Sequence, residues 1–147
     1  VKLHIAWIGK TKNDAIDALT RDYLKRLSHY AGTESHELAS EEALLKLVEK
    51  SAGRTRPVFV MLDQGGRLFT SEDFAELLRD QQNRGAQNLI FAVGPADGFQ
   101  QSTRHVADQV VSFGKITLGH ELARVVLLEQ LYRGFTILSG HPYHKGH

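Results

Sequence analysis

Asn88-Leu89-Ile90-Phe91-Ala92-Val93-Gly94-Pro95-Ala96-Asp97-Gly98 runs from an apolar stretch straight into a turn built on glycine and proline. Successive side chains of a strand alternate between its faces, so an unbroken apolar run must be covered on both sides. Pro57-Val58-Phe59-Val60-Met61-Leu62 has the same character and leads into Asp63-Gln64-Gly65-Gly66-Arg67, read as a loop. Strands buried on both faces belong to parallel sheets flanked by helices. The two segments therefore set the fold class: α/β, a mostly parallel sheet with flanking helices.

Towards the amino terminus, residues 2–8 read as a first strand. Asn13 then caps a helix whose Ile16, Leu19, Tyr23, Leu27 and Tyr30 recur at helical spacing. Residues 33–38 form a more polar strand. Ser40 caps a second helix, with Glu41 and Glu42 in its first turn and Leu44, Leu47 and Val48 on its buried face. Thr70-Ser71-Glu72-Asp73 carries the cap chemistry of a third helix through Phe74, Leu77 and Leu78, closed by Gly85. After the 94–98 turn come a polar helix near 102–108, a strand over 110–113, a loop over 114–120 and a helix over 122–132. In that last helix Leu122, Val125, Val126, Leu127, Leu128 and Leu131 cover most of the circumference. One sheet cannot bury them all, which points to a second subunit as cover. No linker, repeat or low-complexity segment divides the 147 residues, so they read as one domain.

Composition excludes several chemistries. There is no cysteine, hence no disulfide, thiolate metal site or cysteine nucleophile, and a cytoplasmic location is expected. The apolar start at Leu3 reaches only Ile8 before Gly9-Lys10-Thr11-Lys12, too short for a signal core or a membrane span, so no membrane partner is expected. A net charge of +1 does not announce a nucleic-acid binder. The distribution is less even: from Gly114 onward Lys115, Arg124, Arg133 and Lys145 face only Glu121 and Glu129, and His120, His141, His144 and His147 lie in the same stretch. If RNA is the partner, this end should meet it.

Several motifs fail on inspection. Gly9-Lys10-Thr11 imitates the end of a phosphate-binding loop, but the glycine required five positions earlier is His4, inside a strand. No Gly-x-Gly-x-x-Gly follows the first strand. The histidines of the tail lack the helical spacing of a zinc protease and have no carboxylate among them, so no metal is expected. Ser112 and Ser139 sit in no nucleophile elbow, and Asp63, Asp97 and Glu121 form no recognisable pair. What remains is three glycine-bearing loops, at 65–66, 94–98 and 114–119, each following a strand. Open α/β sheets bind ligands beyond the carboxyl ends of their strands, and glycine lets backbone approach a ligand; ordinary turns would look the same.

Phe113-Gly114-Lys115-Ile116-Thr117-Leu118-Gly119-His120-Glu121-Leu122-Ala123-Arg124 continuing to Arg133, then His141-Pro142-Tyr143-His144-Lys145, give the chain a further likeness. Together with Val60-Met61-Leu62-Asp63-Gln64-Gly65-Gly66-Arg67 and Phe91-Ala92-Val93-Gly94-Pro95-Ala96-Asp97-Gly98, they make it resemble the ribosomal RNA large subunit methyltransferase H family over essentially its whole length. Two positions depart from the family pattern: Pro95 stands where a second glycine is usual, and Gly119 where proline usually precedes the histidine.

The resemblance implies a SPOUT-type fold whose carboxyl-terminal part is threaded into a trefoil knot through loops 62–67, 94–98 and 113–119. It implies S-adenosyl-L-methionine as cofactor, with Leu62, Gly94, Phe113, Gly114, Lys115, Ile116, Thr117 and Leu118 lining its pocket. It implies a homodimer that methylates N3 of a pseudouridine in 23S rRNA of the ribosome, by direct transfer and without metal. Arg133, His141, Tyr143 and His144 become the candidates for holding the target base and easing loss of its proton. Lys115, Arg124, Arg133, His141, His144 and Lys145 are the expected RNA contacts. A catalytically silent RNA-binding dimer, and an enzyme of this fold acting on another nucleotide, are the alternatives.

Overall fold

The computed structural model describes residues 1–145, with side chains described through Tyr143. Five strands alternate with helices: β1 (Lys2–Ile8), α1 (Asp14–Leu27), β2 (Gly32–Leu38), α2 (Glu41–Lys50), β3 (Val58–Leu68), α3 (Ser71–Asn83), β4 (Asn88–Val93), α4 (Gln101–Val106), β5 (Gln109–Ser112) and α5 (His120–Ser139). A 3-10 turn, Pro142–Lys145, follows. All strand pairings are parallel, in the order β2-β1-β4-β3-β5. The sheet is thus wholly parallel and lies between two layers of helices.

Alternation sorts the core. Leu3, Ile5 and Trp7 of β1, Val60 and Leu62 of β3, and Leu89, Phe91 and Val93 of β4 face the layer made by α1, α3 and α5. Ala6, Phe59, Met61, Ile90 and Ala92 face α2 through Leu44 and Val48. The strand of 88–93, buried on both faces in the sequence reading, is the middle strand of the sheet. Helix starts also follow the sequence: Ile16 N donates to Asn13 Oδ1 (3.1 Å), Ala43 N to Ser40 Oγ (3.2 Å), and Thr70 with Asp73 forms a capping box.

Three expectations need correction. Residues 63–67 are not simply a loop, because β3 continues through them to Leu68. Both Leu62 and Arg67 pair with Val111, so residues 63–66 bulge out between two stretches of regular pairing. Gly66 permits this: a Cβ there would lie 2.6 Å from the carbonyl carbon and oxygen of Val110, so the backbones touch where no side chain fits. Secondly, the last helix does not end at Tyr132 but runs to Ser139, closed by Gly140 in the left-handed conformation. Its circumference is also covered largely from within the chain. Leu127, Leu128 and Leu131 are fully buried against the sheet, α1 and α3, leaving Leu122 exposed and Val126 half-buried.

Thirdly, Arg124 cannot be an RNA contact, because it is completely buried. Its Nη1 donates to Thr11 Oγ1 (3.1 Å), and its Nη2 to the carbonyls of Ile8 (3.3 Å) and Gly9 (3.4 Å). The guanidinium carbon lies 5.3 Å from the centroid of the Trp7 ring. One turn earlier, Glu121 Oε1 accepts from Lys12 N (2.9 Å) and Asn13 N (3.2 Å). From the edge strand, Glu37 Oε1 accepts from Thr11 N (3.0 Å) and Trp7 Nε1 (3.3 Å). The segment that imitates a phosphate loop is therefore a clasp, holding the start of α5 over the carboxyl end of β1.

Arg124→Leu would strand three acceptors that now share a buried cation, at about 3 kcal/mol or more by urea denaturation. Lys10→Ala, on the same loop but exposed, should stay within about 0.5 kcal/mol of the parent. Equal stability of the two variants would refute the clasp.

Candidate active site

The order of the sheet brings three loops together. β3 lies between β4 and β5, so the segments leaving these strands at 63–66, 94–98 and 113–119 are neighbours at one end of the sheet. They enclose a cleft of about 250 Å3, a little below the usual size of small-molecule sites. Its apolar wall is Leu62, Val93, Val111, Phe113, Ile116 and Leu118, and Asp63, Gln64, Asp97, Ser112, Thr117 and His120 supply its polar groups.

Local chemistry shapes each loop. A Cβ on Gly94 would lie 3.0 Å from the Phe99 ring, so the chain turns directly onto the aromatic face. Pro95 lacks an N–H, yet its carbonyl accepts from Gly98 N (2.9 Å) and closes the turn. Gly98 there has φ +79°, open to glycine at little cost. Asp63 Oδ2 accepts from Gly65 N (2.8 Å) and pairs with Arg104 Nη1 (2.6 Å), tying the bulge of β3 to α4. Gln64 Nε2 reaches across to Thr117 Oγ1 (2.9 Å) and to the Lys115 carbonyl (3.3 Å), joining the first loop to the third. Buried Ser112 both donates to Gly114 O (3.0 Å) and accepts from Gly114 N (3.1 Å), setting the exit from β5.

Of the residues expected to line a cofactor pocket, Leu62, Gly94, Phe113, Gly114, Ile116, Thr117 and Leu118 line this cleft. Lys115 does not. It stands on the same loop and contributes its carbonyl to Gln64. Asp63, Gln64, Asp97 and His120 line the cleft too, a role the sequence reading does not assign them although all four lie within the motifs quoted above. Asp63 and Gln64 reach the cleft from the bulge of β3, which no local pattern in the sequence announces.

The second group of candidates lies elsewhere. Arg133 and Tyr143 meet at the far end of α5, around Glu129. Arg133 Nη2 pairs with Glu129 Oε2 (3.2 Å) and its Nε donates to Glu129 Oε1 (3.3 Å). Tyr143 Oη donates to Glu129 Oε2 (3.1 Å) and lies 3.3 Å from Tyr23 Oη, while the Arg133 guanidinium covers the Tyr143 ring at 5.1 Å. Exposed His141 accepts from Tyr143 N through Nδ1 (3.2 Å). The side chain of His144 and all of His147 lie outside the described residues. His120, on the cleft, and Arg133 are 13 positions apart on one helix, which at 1.5 Å per residue is about 20 Å. Within one chain the two sets of candidates do not meet.

Comparison with known proteins agrees with the architecture. Residues 1–144 match the family described as "Predicted SPOUT methyltransferase", and the chain belongs to that family. Among curated relatives, the ribosomal RNA large subunit methyltransferase H of Koribacter versatilis (strain Ellin345) is 59% identical over 147 residues, covering 100% of both chains. The protein of the same name from Gloeobacter violaceus (strain ATCC 29082 / PCC 7421) is 37% identical, covering 99% of this chain and 100% of its own. Two solved structures of the SpoU methyltransferase AviRb from Streptomyces viridochromogenes share the fold. The one in complex with AdoMet has a TM-score of 0.55 at 16% identity over 88% of this chain, and the other 0.57 at 18% over 94%. This chain spans 56% and 60% of the length of those two. SPOUT methyltransferases use S-adenosylmethionine. No helix among the described residues is long and apolar enough to cross a membrane.

The Tyr143 phenol has a direct test. Burial, then the hydrogen bonds with Tyr23 and Glu129 and the Glu129 charge, push its pKa well above the ordinary 10.0. The unfolded chain therefore loses this proton first as pH rises, so the folded state should lose stability above about pH 10. Tyr143→Phe should remove the last phenolate to appear in an ultraviolet titration. It should also flatten the alkaline fall in stability. A Tyr143 that ionises with the earliest tyrosines would refute the arrangement.

Proposed function

We propose that the protein is an S-adenosylmethionine-dependent methyltransferase that acts as a homodimer on N3 of a pseudouridine in 23S rRNA of the assembled ribosome. The observation that carries this reading is the separation along α5: a cleft at its start, a cation and a phenol at its end, about 20 Å apart. A two-fold partner lying along α5 with the opposite polarity would bring its Arg133 end to this cleft. Exposed Leu122 and half-buried Val126 give that contact an apolar seed. The names of the full-length relatives support ribosomal RNA as the substrate. The knotted threading belongs to the same reading, supported by the adjacency of the 63–66, 94–98 and 113–119 segments.

The cleft suits the cofactor. Its apolar wall can take the adenine, backbone groups of Gly94 and of 113–118 can hydrogen-bond the ring edge, and Asp97 can balance positive charge, Asp63 being paired with Arg104. When bound, the cofactor supplies a methyl group already activated on a sulfonium, so the protein's contribution is position and electrostatics. The target nitrogen must lose a proton. Arg133 would stabilise the anion left behind. Tyr143 keeps its proton and directs its one O–H at Glu129, so it helps to position the carboxylate that holds Arg133 but is a poor proton acceptor. That leaves an imidazole, His141 or His144, to take the proton at neutral pH. A net charge of +1 gives little non-specific attraction to RNA, which favours a structured ribosomal surface over short naked RNA. Lys115, Arg133, His141, His144 and Lys145 remain as contacts once Arg124 is withdrawn.

Mixed dimers test the shared site. Gly94→Leu should push the 94–98 turn off the Phe99 ring and so deform the cleft, and Arg133→Ala should disable the other end, each homodimer being inactive on ribosomes. A purified heterodimer of the two should recover roughly half the wild-type rate per dimer, because one of its two sites is intact. No recovery would mean that each chain works alone. Separately, deleting residues 141–147 should abolish tritiated methyl transfer to ribosomes while calorimetric cofactor affinity stays within a few-fold of the parent. Transfer that survives the deletion would make the tail a solvated end.

A further inference from the structure

At the end of the sheet away from the cleft, three side chains converge that play no part in methyl transfer. His4 lies on β1, and Glu34 and His36 two apart on the edge strand β2, so the last two share a face. The register pairs His4 with Glu34 and Ala6 with His36, which sets His4 diagonally across from His36. His4 is buried and His36 half-buried. His4 Nδ1 lies 3.0 Å from His36 Nε2, and His36 Nε2 lies 3.9 Å from Glu34 Oε1.

We propose that His4 Nδ1, His36 Nε2 and Glu34 Oε1 bind one divalent transition-metal ion, zinc being the natural fit.

The donor set is two imidazoles and a carboxylate, a zinc combination that leaves a fourth position for water. These atoms all lie within 4.8 Å of one another. Two nitrogens at about 2.05 Å from a tetrahedral ion are roughly 3.3 Å apart, so the histidines need to part only slightly.

A neighbour holds His4 in the ligating form. Asn88 Nδ2 donates to the Ser51 carbonyl (2.9 Å), which turns Asn88 Oδ1 towards His4 Nε2 at 2.8 Å. That oxygen can only accept, so the His4 proton sits on Nε2 and Nδ1 offers a lone pair. Metal-bound histidines are oriented by this kind of outer contact. Burial lowers the His36 pKa against the opposing pull of Glu34. In the metal-free chain its Nε2–H can donate to His4, and ligation moves that hydrogen to Nδ1 without net loss of a proton. Lys2 Nζ holds Glu34 Oε2 at 2.7 Å, leaving Oε1 for the ion. The nearby ammonium weakens the site, so its affinity should be lower than that of a structural zinc finger. Occupied, the site would fasten the edge strand β2 to β1.

The test uses the untagged full chain, zinc chloride by calorimetry, and cobalt(II) as a spectroscopic probe. The proposal expects one zinc per chain, a thermal midpoint that rises with zinc, and intense visible cobalt bands of a four-coordinate site. His36→Ala should lower affinity at least about tenfold and cancel the thermal shift. Should His36→Ala fail to fold, Glu34→Gln reads the same loss at an exposed position. Binding unchanged in the variants would place the metal elsewhere, on the tail histidines first, and overturn the proposal. Failure of the parent to bind zinc at several times the protein concentration would overturn it equally. Neither outcome touches the methyltransferase reading, whose cleft lies at the other end of the sheet and whose Arg133 and Tyr143 lie along α5, on the face of the sheet opposite His4.

Discussion

The buried guanidinium of Arg124 decides where the last third of the chain can go. It fixes the start of α5 over the carboxyl end of β1, with Glu121 holding the beginning of α1 beside it. β5 lies at the far edge, three strands from β1, a lateral distance of about 14 Å at 4.8 Å per strand. The seven residues 113–119 must cross it, well within their extended reach of roughly 23 Å. Their path passes the ends of β3 and β4, so they roof the cleft of necessity. A charge that the composition offers to RNA instead locates the ligand site.

α5 does more than cover the sheet. Its inner side supplies Leu127, Leu128, Leu131 and Phe135 to the core, and its first turn supplies His120 and Ala123 to the cleft. Its last turns carry Arg133 against Glu129 and Tyr143. One rigid element thus holds the cleft and the Arg133–Tyr143 cluster a fixed distance apart. The proposed dimer uses that separation: two antiparallel copies of the same rod bring opposite ends into register without any hinge.

Much of this was legible in the sequence where a pattern is dictated locally. The apolar runs of β3 and β4, the caps at Asn13, Ser40 and Thr70, and the glycine loops each obey a rule that spans a few residues. The errors occurred where distant residues decide. Arg124 reads as a surface cation until Trp7, Ile8, Gly9 and Thr11, more than a hundred residues earlier, are placed around it. The extension of β3 depends on backbone contact between Gly66 and Val110, which has no hydrophobic signature. The reading that ended the last helix at Tyr132 left Arg133 outside it and so hid its fixed distance from the cleft. The His4–His36 pair was invisible because adjacent strands, not sequence spacing, create it.

The clasp also bears on the order in which the molecule can be made. One face of the sheet, including Leu3, Ile5, Phe91 and Val93, receives much of its cover from α5, the last long element of the chain. A ribosome that has released only the first hundred or so residues presents that face incompletely covered, with the Gly9–Thr11 acceptors still awaiting their cation. Synthesis therefore passes through a stage in which the strands are available but their lid is not, a stage open to aggregation. The last forty residues close that stage and build the ligand site in the same step.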